Sequence, residues 1–341
     1  MKNIILTDST SEELIDFKDG VEYATKEQWE IISYISNWGR NSIWKKIKRL
    51  LVYFYSPLII FFKRKEYDRI IGWQQFYTLI FCFYCRLFHV KKKNEIYVVN
   101  FTYKEKKGLI GKVYFRFMKY IINSKYIDLI YVPSYNYISE CSKTFNIDKG
   151  KFRTLPFGIP DLYEKYKDLK SNEKFILSIG RSNRDYDWLL KQWEGIDYNL
   201  YVISDTYKPL VKVPKNVKII DNVSGDEQYP FMMNCKALVL PINVDNICSG
   251  DTVLLTAMSF KKNVIVTKGS TLAEMYIKDK NDGFIVDKKS NELKNIIESI
   301  TSNKIDLGEK ARSKFVNNYS RYMMGKNVGK TIQEVDKHVK R

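Results

Sequence analysis

Histidine is almost missing from this chain, with two in 341 residues, His89 and His338. His89 follows an aromatic run and His338 lies in the tail, so neither reads as a general acid or base. Cysteine is scarce as well. The five, Cys82, Cys85, Cys141, Cys235 and Cys248, are odd in number and scattered, which fits reduced thiols better than a disulfide framework. Cys82 and Cys85 form a lone C-x-x-C inside an aromatic stretch, without a second pair or a neighbouring histidine, and are expected to be core. Long apolar runs are lacking too. The longest, Leu50 to Phe62, has 13 residues and contains Ser56 and Pro57, too short and broken to cross a bilayer. No secretory leader opens the chain, no repeat of fixed period runs through it, and MKNIILTDST reads as a buried strand and a turn. A reduced, cytoplasmic protein, soluble or peripheral to the inner face of the cell membrane, is the expectation.

Basic residues are plentiful. The formal charge is +18, and 20 Lys and Arg stand against four acids between Arg40 and Lys125. An acidic lipid surface, a nucleic acid or an anionic substrate would answer that excess. No helix-turn-helix, zinc or aromatic ribonucleoprotein signature is present, so nucleic acid is not expected as a partner. From Ser42 to Tyr55 a helix pattern gathers Ile43, Trp44, Ile47, Leu50, Leu51, Phe54 and Tyr55 on one face and Lys45, Lys46, Lys48 and Arg49 on the other. Ser56 and Pro57 then read as the cap and first position of a second short helix, ending at Lys63-Arg64-Lys65. Residues 42–65 suit either an anionic membrane surface or packing on their own sheet with a solvated basic face.

Short apolar strands alternate with helical stretches in two halves, which predicts an α/β protein of two Rossmann-like domains. NIILT, RIIGW, IYVVNF and DLIYVP are strands of the first half. RTLPFGIPD, Arg153 to Asp161, breaks the rhythm and sets the boundary between residues 1–158 and 159–321. KFILSIG, LYVISD, VKIID, ALVLP and NVIVT follow as strands of the second half. Parallel sheets put ligands at the carboxyl ends of their strands, so functional residues belong just after each one.

Two segments carry the most chemistry. In SIGRSNRDYDWLL a strand runs into Gly180, then Arg181, Ser182, Asn183 and Arg184, and a helix begins near Asp185. Glycine permits close approach, helix-start amides attract anions, and the arginines offer forks for phosphate oxygens. The alternative is a solvated loop in which they pair with Asp185 or Asp187. Asp185-Tyr186-Asp187 also spells D-x-D, but in a first helical turn, where acids are favoured by the dipole and no metal is implied. In PINVDNICSGDTVLLTAM, Ser249, Gly250, Asp251 and Thr252 open an apolar helix and make either a second anion cradle or plain caps. Ser204, Asp205, Val223 and Ser224 follow neighbouring strands and are candidates for a nucleoside pocket.

From Phe175 to Ile297 the chain resembles the donor domain of retaining glycosyltransferases of family 4, the group 1 glycosyl transferases of GT-B fold. FILSIGRSNRDYDWLLKQW, the strand, loop and helix around Ser249, AMSFKKNVIVTKG and EMYIKDKNDGFIVD carry the likeness. It implies two domains facing across a cleft, with a closing helix, about 322–341, crossing back to the first. It also implies metal-independent transfer, with retention, of a hexosyl-type sugar from a nucleotide-diphosphate sugar. No cofactor is needed, since the nucleotide sugar is a co-substrate. Arg181 and Arg184 would neutralise the departing diphosphate, with Gly180, Asn183, Ser204, Asp205, Ser224, Ser249, Gly250, Asp251 and Thr252 around the donor. The family's Glu-x7-Glu pair is replaced by Cys248 and Thr256, as in a subgroup with a Ser-Gly-x-Thr loop. Many relatives let the departing phosphate take the acceptor proton, so no base is required. The likeness is to enzymes of the bacterial surface-polysaccharide type.

In the first half, Asp8, Trp73, Gln74, Gln75, Asn100, Thr102, Tyr103 and Lys104 lie after strands and combine flat apolar surface with neutral donors and acceptors. They fit a sugar acceptor, or else plain strand-end packing and turns. With the basic segment beside them, the expected acceptor is a lipid-linked saccharide or a polysaccharide.

Overall fold

The computed structural model describes residues 2–36, 42–169, 171, 173–243 and 249–339, with side chains described as far as residue 335. Two compact units result, Met1–Pro156 with Arg321–Arg341, and Phe157–Ser320.

In the first unit β1 (Lys2–Thr7), α1 (Ile15–Thr25), β2 (Trp29–Ser33), α2 (Ile43–Phe62), β3 (Tyr67–Gly72) and α3 (Gln75–Leu87) come first. They are followed by β4 (Glu95–Val98), α4 (Gly108–Ile122), β5 (Leu129–Val132), α5 (Tyr135–Phe145) and β6 (Phe152–Thr154). The strands form a parallel sheet in the order β2-β1-β3-β4-β5-β6. The order reverses at β1, and in open parallel sheets such a switch point is where ligands are taken, here between the ends of β1 and β3.

The second unit runs α6 (Tyr163–Tyr166), β7 (Ile176–Ile179), α7 (Tyr186–Trp193), β8 (Leu200–Ile203), β9 (Val217–Ile220), α8 (Gln228–Asn234) and β10 (Ala237–Leu240). Then come α9 (Asp251–Ser259), β11 (Asn263–Thr267), α10 (Thr271–Tyr276), β12 (Phe284–Val286), α11 (Glu292–Thr301) and α12 (Gly308–Asn318). Its parallel sheet is ordered β12-β11-β10-β7-β8-β9 and reverses between β7 and β10. Successive strand residues point to opposite faces. Leu177, Leu238 and Val264 therefore join α8, α9 and α12 in one apolar cluster, while Ile176, Val239 and Ile265 join α7 and α11 in another.

The chain ends in the first unit as α13 (Arg321–Val339). Its backbone lies against α1: a Cβ added at Gly325 would stand 2.0 Å from the Phe17 carbonyl oxygen, and one at Gly20 2.1 Å from that of Tyr322. Both glycines are there for close approach. Two helices expected around Ser56 and Pro57 are one. α2 continues through Pro57, and Ser56, Pro57, Ile60 and Phe61 are buried along its second half. Packing of that half against the core outweighs the hydrogen bond that proline cannot donate, worth with its steric clash about 3 kcal/mol. Cys82 and Cys85 are buried in the first unit's core, where burial pushes the Cys85 thiol up to about 12 and the Cys82 thiol well up from its ordinary value.

Candidate functional site

The second unit brings two loops together at its reversal point. Ile176–Ile179 is buried at every residue, so β7 is fixed from both faces and delivers Gly180 at its carboxyl end. Gly180 has φ +140°, and Asn183 turns the loop in the left-handed region at +58°. The loop then pairs with the segment after β10: Arg184 bridges Ile242, the Asp185 amide donates to the Pro241 carbonyl at 2.7 Å, and the Asn243 amide to that of Asn183 at 3.3 Å. Asp185 closes the turn by capping α7, its carboxylate accepting from the Trp188 amide at 3.1 Å.

Arg184 occupies the junction. Its Nε donates to the Ile179 carbonyl at 3.3 Å, and one terminal nitrogen to those of Ser182 at 3.0 Å and Ser249 at 3.4 Å. Glycine on both sides makes the room: a Cβ at Gly180 would lie 2.7 Å from the guanidinium, and one at Gly250, where φ is +100°, 2.3 Å. Gly250, which has no side chain of its own to cap with, leads into α9, where the Asp251 carboxylate takes the Thr252 amide at 2.8 Å. A guanidinium and a helix start therefore share one place, which suits an anion. Part-buried Asp251 lies within the field of Arg184. Burial pushes its carboxyl up, against the Thr252 amide at 2.8 Å and the Arg184 charge, which pull it down.

Arg181 is more exposed and pairs with Asp205 after β8 at 2.6 Å. Thr206 ties the same stretch to the loop, donating to the Arg181 carbonyl at 3.1 Å, while its hydroxyl lies 3.4 Å from that of Ser204. The pairing of arginines with Asp185 or Asp187 is not the one formed. Asp185 takes Lys288 at 2.7 Å, and Asp187 takes the Tyr207 hydroxyl at 2.5 Å and the Leu210 amide at 3.1 Å. Both D-x-D carboxylates are thus held by partners from elsewhere in the same unit. Ser224 stands apart, after the edge strand β9, in a capping box with Glu227. Thr252 is exposed on the first turn of α9. Cys248 lies outside the described residues, whereas Thr256 is buried within α9, its hydroxyl donating to the Thr252 carbonyl at 2.7 Å.

A hollow of about 770 Å³ lies at the ends of β11 and β12 in the same unit, lined by Lys268, Gly269, Glu274, Asp287 and Lys289 among others. Lys268 and Gly269 directly follow a strand that the sequence revealed, so the strand-end rule could have found them. Lys288 was hidden because β12, three residues long, was not read as a strand.

In the first unit the reversal point gathers Asp8, Trp73 and Gln74. The Gln74 amide donates to Asp8 at 3.0 Å and lies 3.4 Å from the Tyr53 hydroxyl. Trp73, half-buried, meets Phe17 edge-on at 5.1 Å between centroids, and its amide donates to the Leu6 carbonyl at 2.9 Å. Gln75 and Thr102 exchange two hydrogen bonds, of 3.2 and 3.1 Å, across the ends of β3 and β4. Asn100, with φ +56°, turns the chain there, and Lys104 is exposed beyond. Tyr103 is placed differently: its ring stacks on Tyr114 and meets Phe145 edge-on, and its hydroxyl is buried. His89 is exposed on the turn before β4, at the entrance to a strand rather than at its carboxyl end.

Residues 162–321, just under half of the chain, match the family described as "Glycosyl transferases group 1". No curated protein sequence matches the chain. Among solved structures it is similar to a glycosyltransferase from Rickettsia africae ESF-5, with TM-score 0.64, 15% identity and 98% of each chain covered. It is also similar to a sucrose-phosphate synthase from Thermosynechococcus elongatus, with TM-score 0.64, 12% identity, and 99% of this chain and 100% of that one covered. A third is HepE of Anabaena, solved in complex with UDP, with TM-score 0.61, 12% identity, and 98% of this chain and 100% of that one covered. At such identities the likeness is one of fold, the GT-B architecture of two Rossmann-like units.

Proposed function

We propose that this chain, whose residues 162–321 form a group 1 glycosyl transferase domain on a GT-B fold, moves a hexosyl-type sugar from a nucleotide-diphosphate sugar to a lipid-linked or polysaccharide acceptor in surface glycan biosynthesis. The observation that carries this reading is the Arg184 guanidinium, held between Gly180 and Gly250 at the start of α9. The resemblance to HepE, a UDP complex, supports a nucleotide diphosphate as the donor's leaving group.

The chemistry follows from that placement. The bond from the anomeric carbon to the diphosphate oxygen breaks and its electron pair stays on phosphate, while an acceptor hydroxyl oxygen bonds to carbon. The hydroxyl proton passes to the departing phosphate, so no protein base is needed. Negative charge grows on the leaving group in an oxocarbenium-like transition state. A cation already fixed by carbonyl hydrogen bonds meets that charge without reorganising. Arg181 contributes as a second, mobile cation released from Asp205, since an exposed ion pair is worth only about 0–1 kcal/mol. Retention and metal independence belong to this proposal, as do the acceptor residues Asp8, Trp73, Gln74, Gln75, Asn100, Thr102 and Lys104. So does docking of segment 42–65 on the inner face of the cell membrane. No helix among the described residues is long and apolar enough to cross a membrane.

Donor turnover over a panel of UDP-, GDP- and dTDP-sugars tests it. Arg184→Ala is expected to lose roughly 10²–10³ in rate, the usual magnitude for one preorganised charge-stabilising group. Arg181→Ala is expected to lose about tenfold, as a rim cation does (~1.4 kcal/mol). Undiminished turnover in both variants would remove the proposed role.

A further inference from the structure

The first unit carries an apolar groove of about 660 Å³ between α2, α3 and α4, within the roughly 300–1,000 Å³ typical of ligand sites. Leu50, Tyr53, Phe76, Ile110, Val113 and Phe117 line it, and among the described residues no carboxylate does. Its α4 rim is unusually bare: Leu109, Ile110 and Val113 are 78%, 76% and 61% exposed. Solvated apolar side chains clustered in this way mark a binding surface. The surroundings are cationic. Lys106 sits over the Tyr114 ring at 4.2 Å, and Lys104, Lys107, Lys112 and Arg116 are exposed on the same loop and helix.

The groove is continuous with the candidate acceptor residues. Its wall residue Tyr53 stacks on Phe76 at 5.1 Å and carries the hydroxyl that Gln74 approaches while holding Asp8. At its other side Tyr114 stacks on Tyr103, in the loop that joins Thr102 to Lys106. The groove therefore meets the acceptor candidates at two points, at Gln74 through Tyr53 and beside Thr102 through Tyr103.

We propose that this groove holds a single hydrocarbon chain of the anionic lipid that carries the acceptor sugar, with the lipid's phosphate at Lys104 and Lys106. This rests on the lipid-linked acceptor proposed above, and it specifies how such an acceptor is held: by its tail as well as by its sugar. The rim favours a phosphate over a neutral head because its lysines and Arg116 outnumber its one acid, Glu105, and the concave groove favours a held tail over a bare bilayer contact.

The test titrates butyl phosphate and dodecyl phosphate, both below micelle formation, into the full chain by calorimetry, beside flotation with phosphatidylglycerol vesicles. Each methylene that leaves water tightens binding roughly fourfold, so dodecyl phosphate is expected to bind at least about a hundredfold tighter even with partial burial. Val113→Gln and Ile110→Gln, both solvent-exposed, should each weaken dodecyl phosphate about tenfold (~1.4 kcal/mol) and leave butyl phosphate unchanged. Trp44→Gln, on α2 but outside the groove lining, should leave the dodecyl phosphate affinity unchanged. Equal affinity for both phosphates overturns the proposal. So does a pattern in which all three variants lose vesicle flotation alone, which would make the face a plain interfacial patch. Self-association in sedimentation that Val113→Gln abolishes would assign the groove to a second copy of this chain. Donor hydrolysis by the unsubstituted protein is read separately: its absence, with the chain-length dependence intact, would sink the transferase reading and leave the groove standing.

Discussion

The two sheets reverse direction in the same way and yet furnish their crevices with opposite chemistry. At the β1/β3 reversal the first unit places a tryptophan, an amide and a carboxylate joined by a 3.0 Å hydrogen bond. At the β7/β10 reversal the second unit places a guanidinium between two glycines. Topology supplies a crevice in each case, and side chains decide what enters it. Neutral hydrogen-bonding groups beside a flat ring suit a polyol, whereas a fixed cation at a helix start suits an anion.

The comparison can be broken from either side. Arg184→Ala, already expected to cost the most in turnover, should not be repaired by Arg184→Lys, because an ammonium cannot span the three carbonyls that the planar fork reaches. Gly250→Ala comes next. Its Cβ would meet the guanidinium at 2.3 Å and its φ of +100° is strained for any other residue, so donor binding should weaken about tenfold and stability fall by about 1–3 kcal/mol. Calorimetric titration and denaturant melts read the two losses. Trp73→Ala should act on the other crevice, raising the acceptor KM about tenfold (~1.4 kcal/mol) without moving donor affinity. A matching change in donor affinity would mean that the crevices are not specialised.

The smallest effect concerns Asp251. Its carboxyl is raised by burial, so the folded state carries no penalty below the unfolded value of about 3.9 and acquires one as pH rises through the folded value. Asp251→Asn should therefore melt at the same temperature as the parent near pH 3 and at a slightly higher one at neutral pH. A variant less stable at neutral pH would reverse the sign and show a carboxylate that Arg184 stabilises more than burial penalises.

Legibility in the sequence followed burial. β7 and β10 are central, buried at every residue and covered on both faces, so they were evident as short, mostly apolar runs, and the residues after them could be named. β2, β6 and β12 were not read. All three are edge strands: β6 and β12 have only three residues, and β2 buries one residue of five, so none carries a long apolar run. The union of α2 across Pro57 was likewise invisible, because proline normally marks a helix start and only tertiary burial overrides it. At the site, the turn after β7 was legible from its glycine, its two arginines and the helix start behind them. The contact of Arg184 with Ser249, 65 positions away, was not, because spacing says nothing about which loops the sheet order brings together.

Titration of UDP, GDP and dTDP into the parent protein, Arg184→Ala and Gln74→Ala addresses the assignment of the anion to the second crevice most directly. At least one nucleotide should bind the parent and Gln74→Ala alike and bind Arg184→Ala about a hundredfold more weakly (~2.7 kcal/mol). Equal affinity for the parent and Arg184→Ala, or a loss confined to Gln74→Ala, would contradict it.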